Sequence, residues 1–199
     1  MAELSAENEA LYRALARQLD AMPNGFPATE TGAELRLLAW MFTPEEARLG
    51  SVMTMEPESP DAIASRAGVE PRAAARTLKD MVRHGLVTMQ RGDRVLLFAL
   101  MPFVVGSYEA QLPRMDGEMA ALFEAYFRDS QGMQAVPGPS VHRVLPVGEA
   151  VGNNVEIHPY EQAAALVESA KSWGVRPCIC RTQQHLLDKG CDAPIDNCL

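Results

Sequence analysis

The chain has 199 residues, 47% of them hydrophobic and 22% charged, with a formal net charge of −8. That is the balance of an ordinary globular protein with room for one large or two small domains. No apolar run approaches the roughly 18 residues that a membrane helix needs, and the acidic balance excludes wholesale coating of nucleic acid while allowing a local basic patch.

Met1-Ala2-Glu3-Leu4 opens a polar, acidic run and not a signal peptide, so a cytoplasmic chain is expected. Residues 5–22 then predict an amphipathic helix, with Leu11, Leu15 and Leu19 recurring every four residues and Met22-Pro23-Asn24-Gly25 ending it. Thr31-Gly32-Ala33-Glu34 has capping-box spacing and starts a second helix through Leu35, Leu38, Trp40 and Phe42. Thr43-Pro44-Glu45-Glu46 repeats the signature, with proline at the first helical position, and starts a third helix carrying Leu49, Val52 and Met53.

Residues 59–100 carry the strongest fold pattern. Ser59-Pro60 caps a short helix from Asp61 to Ala67, Gly68-Val69-Glu70 turns, and Pro71 opens a longer helix to His84, closed by Gly85. Helix, short glycine-containing turn and helix is the helix-turn-helix pattern. Leu86-Val87-Thr88-Met89 and Arg94-Val95-Leu96-Leu97-Phe98 read as strands around an Arg91-Gly92-Asp93 turn, which would form a wing. On the longer helix, Ala75, Leu78 and Val82 form the apolar stripe expected to face the core. Arg72, Arg76, Lys79 and Arg83 fall at i, i+4, i+7 and i+11 on one basic face, and Arg91 and Arg94 add to it from the wing. Such a face suits double-stranded DNA, where phosphates and guanine edges take arginine and lysine. It equally suits a solvated helix surface or a protein-docking module.

Beyond Pro102, Asp116-Gly117-Glu118 precedes a helix bearing Leu122, Phe123, Tyr126 and Phe127, aromatics read as packing groups. Residues 132–140 form a linker, 141–147 alternate like a strand and 155–157 suggest another. A helix is expected from Tyr160 to Trp173, with Leu166, Val167 and Ala170 inward. The organisation expected is a helical and winged helix-turn-helix domain at 1–112, a helix and linker at 113–140, and a small α/β segment at 141–199. No nucleophilic triad, P-loop or G-x-G-x-x-G is present, and no carboxylate pair marks acid–base work, so the sequence gives no warrant for an enzyme beyond a possible electron carrier.

All four cysteines lie at the end of the sequence, as C-x-C (Cys178, Cys180), ten residues, Cys191, six residues, Cys198. Thr182 to Lys189 predict a short helix with Gly190 as its left-handed stop, which puts the C-x-C pair at or just before a helix N-terminus. Unpaired N–H groups and the helix dipole favour a thiolate or an anionic metal–thiolate group there, and Arg176 and Arg181 flank the pair as candidate supporting charges. A four-cysteine iron–sulfur cluster fits this set. Zinc also takes four cysteines, but its usual C-x-x-C knuckles are missing. Disulfides are the third reading, disfavoured in an intracellular chain. His185 lies inside the segment, but four cysteines complete a site, so a surface or packing role is expected for it.

Cys178-Ile-Cys180-Arg181, Gly190-Cys191-Asp192-Ala193-Pro194 and Asn197-Cys198-Leu199 resemble a family of bacterial 4Fe–4S ferredoxin-type iron–sulfur-binding proteins, which join an N-terminal winged-helix-like region to a C-x-C-R…C…C segment. The stretches from Pro102 to Glu109 and from Pro159 to Gln162 are similar too. The resemblance implies a 4Fe–4S cluster held by Cys178, Cys180, Cys191 and Cys198. Family members continue into further cysteine clusters. This sequence has none and closes one residue after Cys198, as a short member or a piece of a longer one, so the resemblance does not carry a multi-cluster relay over to these residues.

The resulting expectation is a mainly α (α+β) protein with a winged helix-turn-helix and a cysteine-rich, cluster-binding tail. Its expected role is a redox-sensing DNA-binding regulator, as a homodimer if it reads two half-sites. The alternatives are a ferredoxin-like electron-transfer protein whose winged helix docks a redox partner protein, and a zinc-stabilised regulator.

Overall fold

The computed structural model describes residues 4–93, 95–132 and 160–196. The strands expected at 141–147 and 155–157, most of the 132–140 linker, Arg94 and Cys198 lie outside the described residues. Among those described, the chain is mainly helical, with one two-stranded antiparallel sheet. No described helix is long and apolar enough to cross a membrane.

Helix α1 (Ala6–Asp20) starts where Ser5 accepts a hydrogen bond from Asn8 N, and buries Tyr12, Leu15, Ala16 and Leu19. Helix α2 (Ala33–Met41) does not use the expected Thr31–Glu34 capping box: its N-cap is Gly32, in a left-handed conformation. Thr29 does the capping instead. Its Oγ1 accepts from Ala33 N at 2.9 Å and donates to Glu34 Oε2 at 2.5 Å. Thr31 is drawn away to Asp129, 2.6 Å distant. Glu34 reaches back to Thr29, two residues further than a capping box requires. Helix α3 (Pro44–Gly50) has the complete box that its sequence predicts, Thr43 with Glu46. It ends before Val52 and Met53, and Met53 is buried in the turn that follows.

Helices α4 (Pro60–Ala67) and α5 (Pro71–Arg83) meet through a left-handed Gly68, with Ser59 and Glu70 as their caps. Strands β1 (Val87–Arg91) and β2 (Leu96–Leu100) follow, paired from Val87↔Leu100 to Arg91↔Leu96. The segment before α4 lies along the other edge of β2: Glu58 exchanges both backbone hydrogen bonds with Phe98, and Leu100 N donates to Thr54 O. Arg66 of α4 holds that segment with two 2.6 Å bonds to the Glu58 carboxylate.

The buried stripe of α5 is Ala74, Leu78 and Met81, with Ala75 and Val82 half-buried beside it. The buried stripe therefore keeps Leu78 and is shifted by one residue at its other two positions, from Ala75 to Ala74 and from Val82 to Met81. Met81 fills the core position that Val82 was expected to fill, because the packing of α5 on its neighbours turns the Met81 face inward.

Helix α6 (Gly117–Asp129), capped by Asp116, packs on α2 and delivers Met119, Leu122 and Tyr126 to the core shared with α1–α5. Phe26, Phe103, Tyr108, Phe123 and Tyr126 form one aromatic group there, in which Phe103, Phe26 and Tyr126 contact one another at 4.6, 4.7 and 5.8 Å. The packing role expected of these aromatics holds for Tyr126 and Phe123, whereas Phe127 is exposed.

Helix α7 runs over Tyr160–Ser169, shorter than the Tyr160–Trp173 expected, and Leu166, Val167 and Ala170 are exposed, not inward. The Trp173 indole turns back to cap the helix, donating to Val167 O at 2.7 Å. An apolar pattern reports that a face can be buried, not what covers it.

Candidate metal centre and basic face

Helix α8 spans Ile179–Leu186 and has Cys178 as its N-cap. It begins three residues earlier than expected, so Cys180 lies inside the first turn. The cause is Ile179, whose buried side chain is the apolar anchor of the helix. Cys178 is half-buried, while Cys180 and Cys191 are exposed. Gly190 does not stop the helix: Asp188 takes the left-handed position, at φ +56. Lys189 N then closes the end on Gln184 O, at 2.9 Å. Asp188 tolerates this conformation because its short polar side chain carries a small left-handed penalty. The absent Cβ of Gly190 is used differently, since one there would meet the His185 ring at 2.2 Å. His185 itself is exposed, as expected.

The start of α8 is fixed by backbone contacts. Cys178 N donates to Ile195 O at 2.7 Å, and Thr182 returns both its N–H and its hydroxyl to Cys178 O at 2.9 Å. The two flanking arginines act as braces. The Arg176 guanidinium donates to Glu109 O at 2.7 Å, and that of Arg181 donates to Pro194 O. Along α8, buried Gln183 donates to Ala120 O at 3.3 Å and to Glu124 Oε2 at 3.2 Å, and Gln184 donates to the same carboxylate oxygen at 3.3 Å. Lys189 approaches Glu124 Oε1 at 2.7 Å. The hydrogen bond from Lys189, then that from Gln183, holds the Glu124 carboxyl below the usual glutamate range.

The structure thus brings Cys178 and Cys180 together on one helical turn. Among the described residues, no three histidine, cysteine, aspartate or glutamate side chains gather as a metal-holding group. Cys191 follows the end of α8 without joining such a group. The donor chemistry still fits the all-thiolate set of an iron–sulfur cluster: two thiols at a helix N-terminus, where N–H groups favour anionic sulfur. Tyr108 is 2% exposed, and its hydroxyl has no hydrogen-bond partner among the described residues. Burial pushes that phenol far above the ordinary tyrosine range, and the charges of Cys180, Glu109 and Cys178 add to the effect.

Arg72, Arg76, Lys79 and Arg83 are all exposed along α5, and Arg91 is exposed at the end of β1. The basic face read from the sequence is real as a surface. One member, Arg83, is paired with Asp80 on its own helix. Between this face and the hairpin is a hollow lined by Lys79, Val82, Arg83, Met89 and Leu96.

Residues 108–111 join the two regions. Tyr108 lies within the electrostatic reach of the cysteines, and Glu109 O receives Arg176. Gly85, just past the end of α5, is pressed on Ala110, so that a Cβ at Gly85 would meet Ala110 Cβ at 2.5 Å. Gln111, fully buried, donates to His84 O and to Ser107 O, each at 2.9 Å. His84 in turn approaches the buried Glu46 carboxylate at 2.6 Å, which ties α5 to α3. Tyr108, Gln111, Gln183 and Glu124 were missed by sequence reasoning. Only Gln183 left a signal, the i, i+4 pairing with Ile179, hidden by placing the helix start at Thr182.

Compared with family models and with curated proteins, the chain matches none.

Proposed function

We propose that this chain is a 4Fe–4S-binding, redox-sensing regulator of the winged-helix type. In this reading Cys178, Cys180, Cys191 and Cys198 hold the cluster. Helix α5 and its hairpin are the recognition helix and wing, and Arg72, Arg76, Lys79, Arg83, Arg91 and Arg94 face double-stranded DNA. When bound, the cluster supplies a one-electron redox centre and a crosslink among four thiolates. The observation that carries the reading is the 108–111 segment, which holds Arg176, two residues before Cys178, on Glu109 O and meets the end of α5 through Ala110 and Gln111. A segment too small to build its own core depends on its metal for order. Loss of order around α8 would release Arg176 from Glu109, and the next two residues position the end of the basic helix.

The test is an anaerobic mobility-shift series on an operator found by selection, with holo protein, air-oxidised protein and Cys191→Ser. A coupled regulator gives affinities that differ by about five- to hundredfold between holo protein and the other two. Arg76→Ala weakens binding to any duplex and lowers the salt slope by roughly one unit. Equal affinities in all three forms contradict regulation. A second reading, a ferredoxin-like electron-transfer protein that docks a redox partner through the hairpin, draws on the hollow beside α5 and on the exposed Met89 and Val95. No DNA binding at low salt, with the cluster intact, favours it.

A further inference from the structure

The hollow beside α5 measures about 320 Å³ and is lined by Lys79, Val82, Arg83, Met89 and Leu96. Its floor is apolar: Val82 and Leu96 are half-buried, and Met89 is 47% exposed. Its rim is cationic: Lys79 and Arg83 are both exposed and stand one turn apart, roughly 6 Å along the helix. Arg83 is paired with Asp80. That pair lies in solvent, where such pairs are worth at most about 1 kcal/mol, so the guanidinium can change partner. DNA phosphates match the rim but not the floor. A ligand that matches both carries an apolar side chain between carboxylates.

This chain contains such a segment. Ile195 is 42% exposed, and Asp192 and Asp196 on either side of it are exposed too. The backbone between them is held: Ile195 O accepts from Cys178 N at 2.7 Å, and Pro194 O accepts from the Arg181 guanidinium. The apolar side chain and its two carboxylates are thus presented on a fixed backbone, which lowers the ordering cost of binding. We propose that residues 192–196 of one copy dock in the α5 hollow of a second copy. Ile195 covers Val82, Met89 and Leu96, while Asp192 and Asp196 face Lys79 and Arg83. The two surfaces come from different parts of the chain, so the contact is heterologous. Made twice about a two-fold axis, it closes a dimer. Neither the cluster nor DNA is needed for this contact, although Lys79 and Arg83 then serve either a second copy or DNA.

The experiment is sedimentation equilibrium on the full chain, kept reduced so that the cysteines do not crosslink copies. Wild type, Met89→Asp, Ile195→Asp and an equimolar mixture of the two variants are compared. The expected result is a wild type that associates with rising concentration. Association weakens about tenfold or more in each variant, because a carboxylate replaces an apolar contact. It recovers in the mixture, where an intact hollow meets an intact 192–196 segment. An independent set alters only exposed charges: Lys79→Glu with Arg83→Glu should weaken association, and adding Asp192→Lys with Asp196→Lys should restore it. A wild type that stays monomeric at its highest soluble concentration overturns the contact. So does association that Met89→Asp breaks and Ile195→Asp leaves unchanged, since another surface then fills the hollow. A mixture that associates no better than its two components also overturns it.

Discussion

The body of the protein, residues 4–132, and the cysteine segment, residues 160–196, are held by different physics. The body shares one apolar core, from Tyr12 in α1 to Tyr126 in α6. Among the described residues of the cysteine segment, Ile179 alone joins that core. The remaining anchors of that segment are polar: Gln183, Gln184 and Lys189 on Glu124, and Arg176 on Glu109. An apolar core gains roughly 25 cal/mol for each Å² removed from water, whereas a protein hydrogen bond nets only about 1 kcal/mol. The described part of the cysteine segment is therefore a docked element, held by one apolar anchor and a set of polar contacts. The body is ordered by itself.

The largest effect that would sharpen this contrast is expected from Phe103→Ala. Phe103 touches the rings of Phe26, Tyr108, Phe123 and Tyr126. Its truncation costs about 3–5 kcal/mol and lowers the urea midpoint of the whole body. Ile179→Ala should act differently. It costs toward the low end of about 2–5 kcal/mol, confined to docking of α8. Hydrogen exchange should quicken in α8 and stay unchanged in α2. Equal quickening in both helices would break the contrast.

The junction comes next. Gly85 has φ +69 and no room beside Ala110, so Gly85→Ala costs about 1–2 kcal/mol in left-handed backbone alone. It should displace residues 110–111 from the end of α5, and chemical-shift changes should appear in both α5 and α8. Changes confined to α5 would argue against the junction as a connection.

The smallest effect concerns pH. Because Lys189 and Gln183 hold the folded Glu124 carboxyl below the ordinary range, its contribution is present above the unfolded pKa. It is lost as pH falls through the folded value. The group is partly exposed, so Glu124→Gln should cost less than about 1 kcal/mol. The check is an NMR titration of the Gln183 side-chain amide, which should move as the pH falls below the glutamate range and stay still in Glu124→Gln.

The same contrast explains what was legible in the sequence. Helix starts decided by local chemistry, at Ser5, Thr43, Ser59 and Asp116, could be read directly, because the capping oxygen and the N–H that donates to it lie three residues apart. The Thr29 cap of α2 was hidden by a long-range competitor, Asp129, which takes Thr31. The basic residues of α5 were legible from periodicity, but its buried stripe was off by one residue because neighbouring helices choose which apolar side chains turn inward. The cysteines were legible as a set of ligands. Tyr108 and Glu124 were not, since their roles arise from contacts across 60 or more residues: Glu124 with Gln184 and Lys189, and the Tyr108–Glu109 turn with Arg176.

The central claim is that the four thiols hold an iron–sulfur cluster, and it is tested most directly by metal and sulfide analysis of protein purified without oxygen. The account predicts about four iron and about four acid-labile sulfide per chain, lost together in Cys178→Ser and Cys180→Ser. One zinc per chain with no sulfide would contradict it.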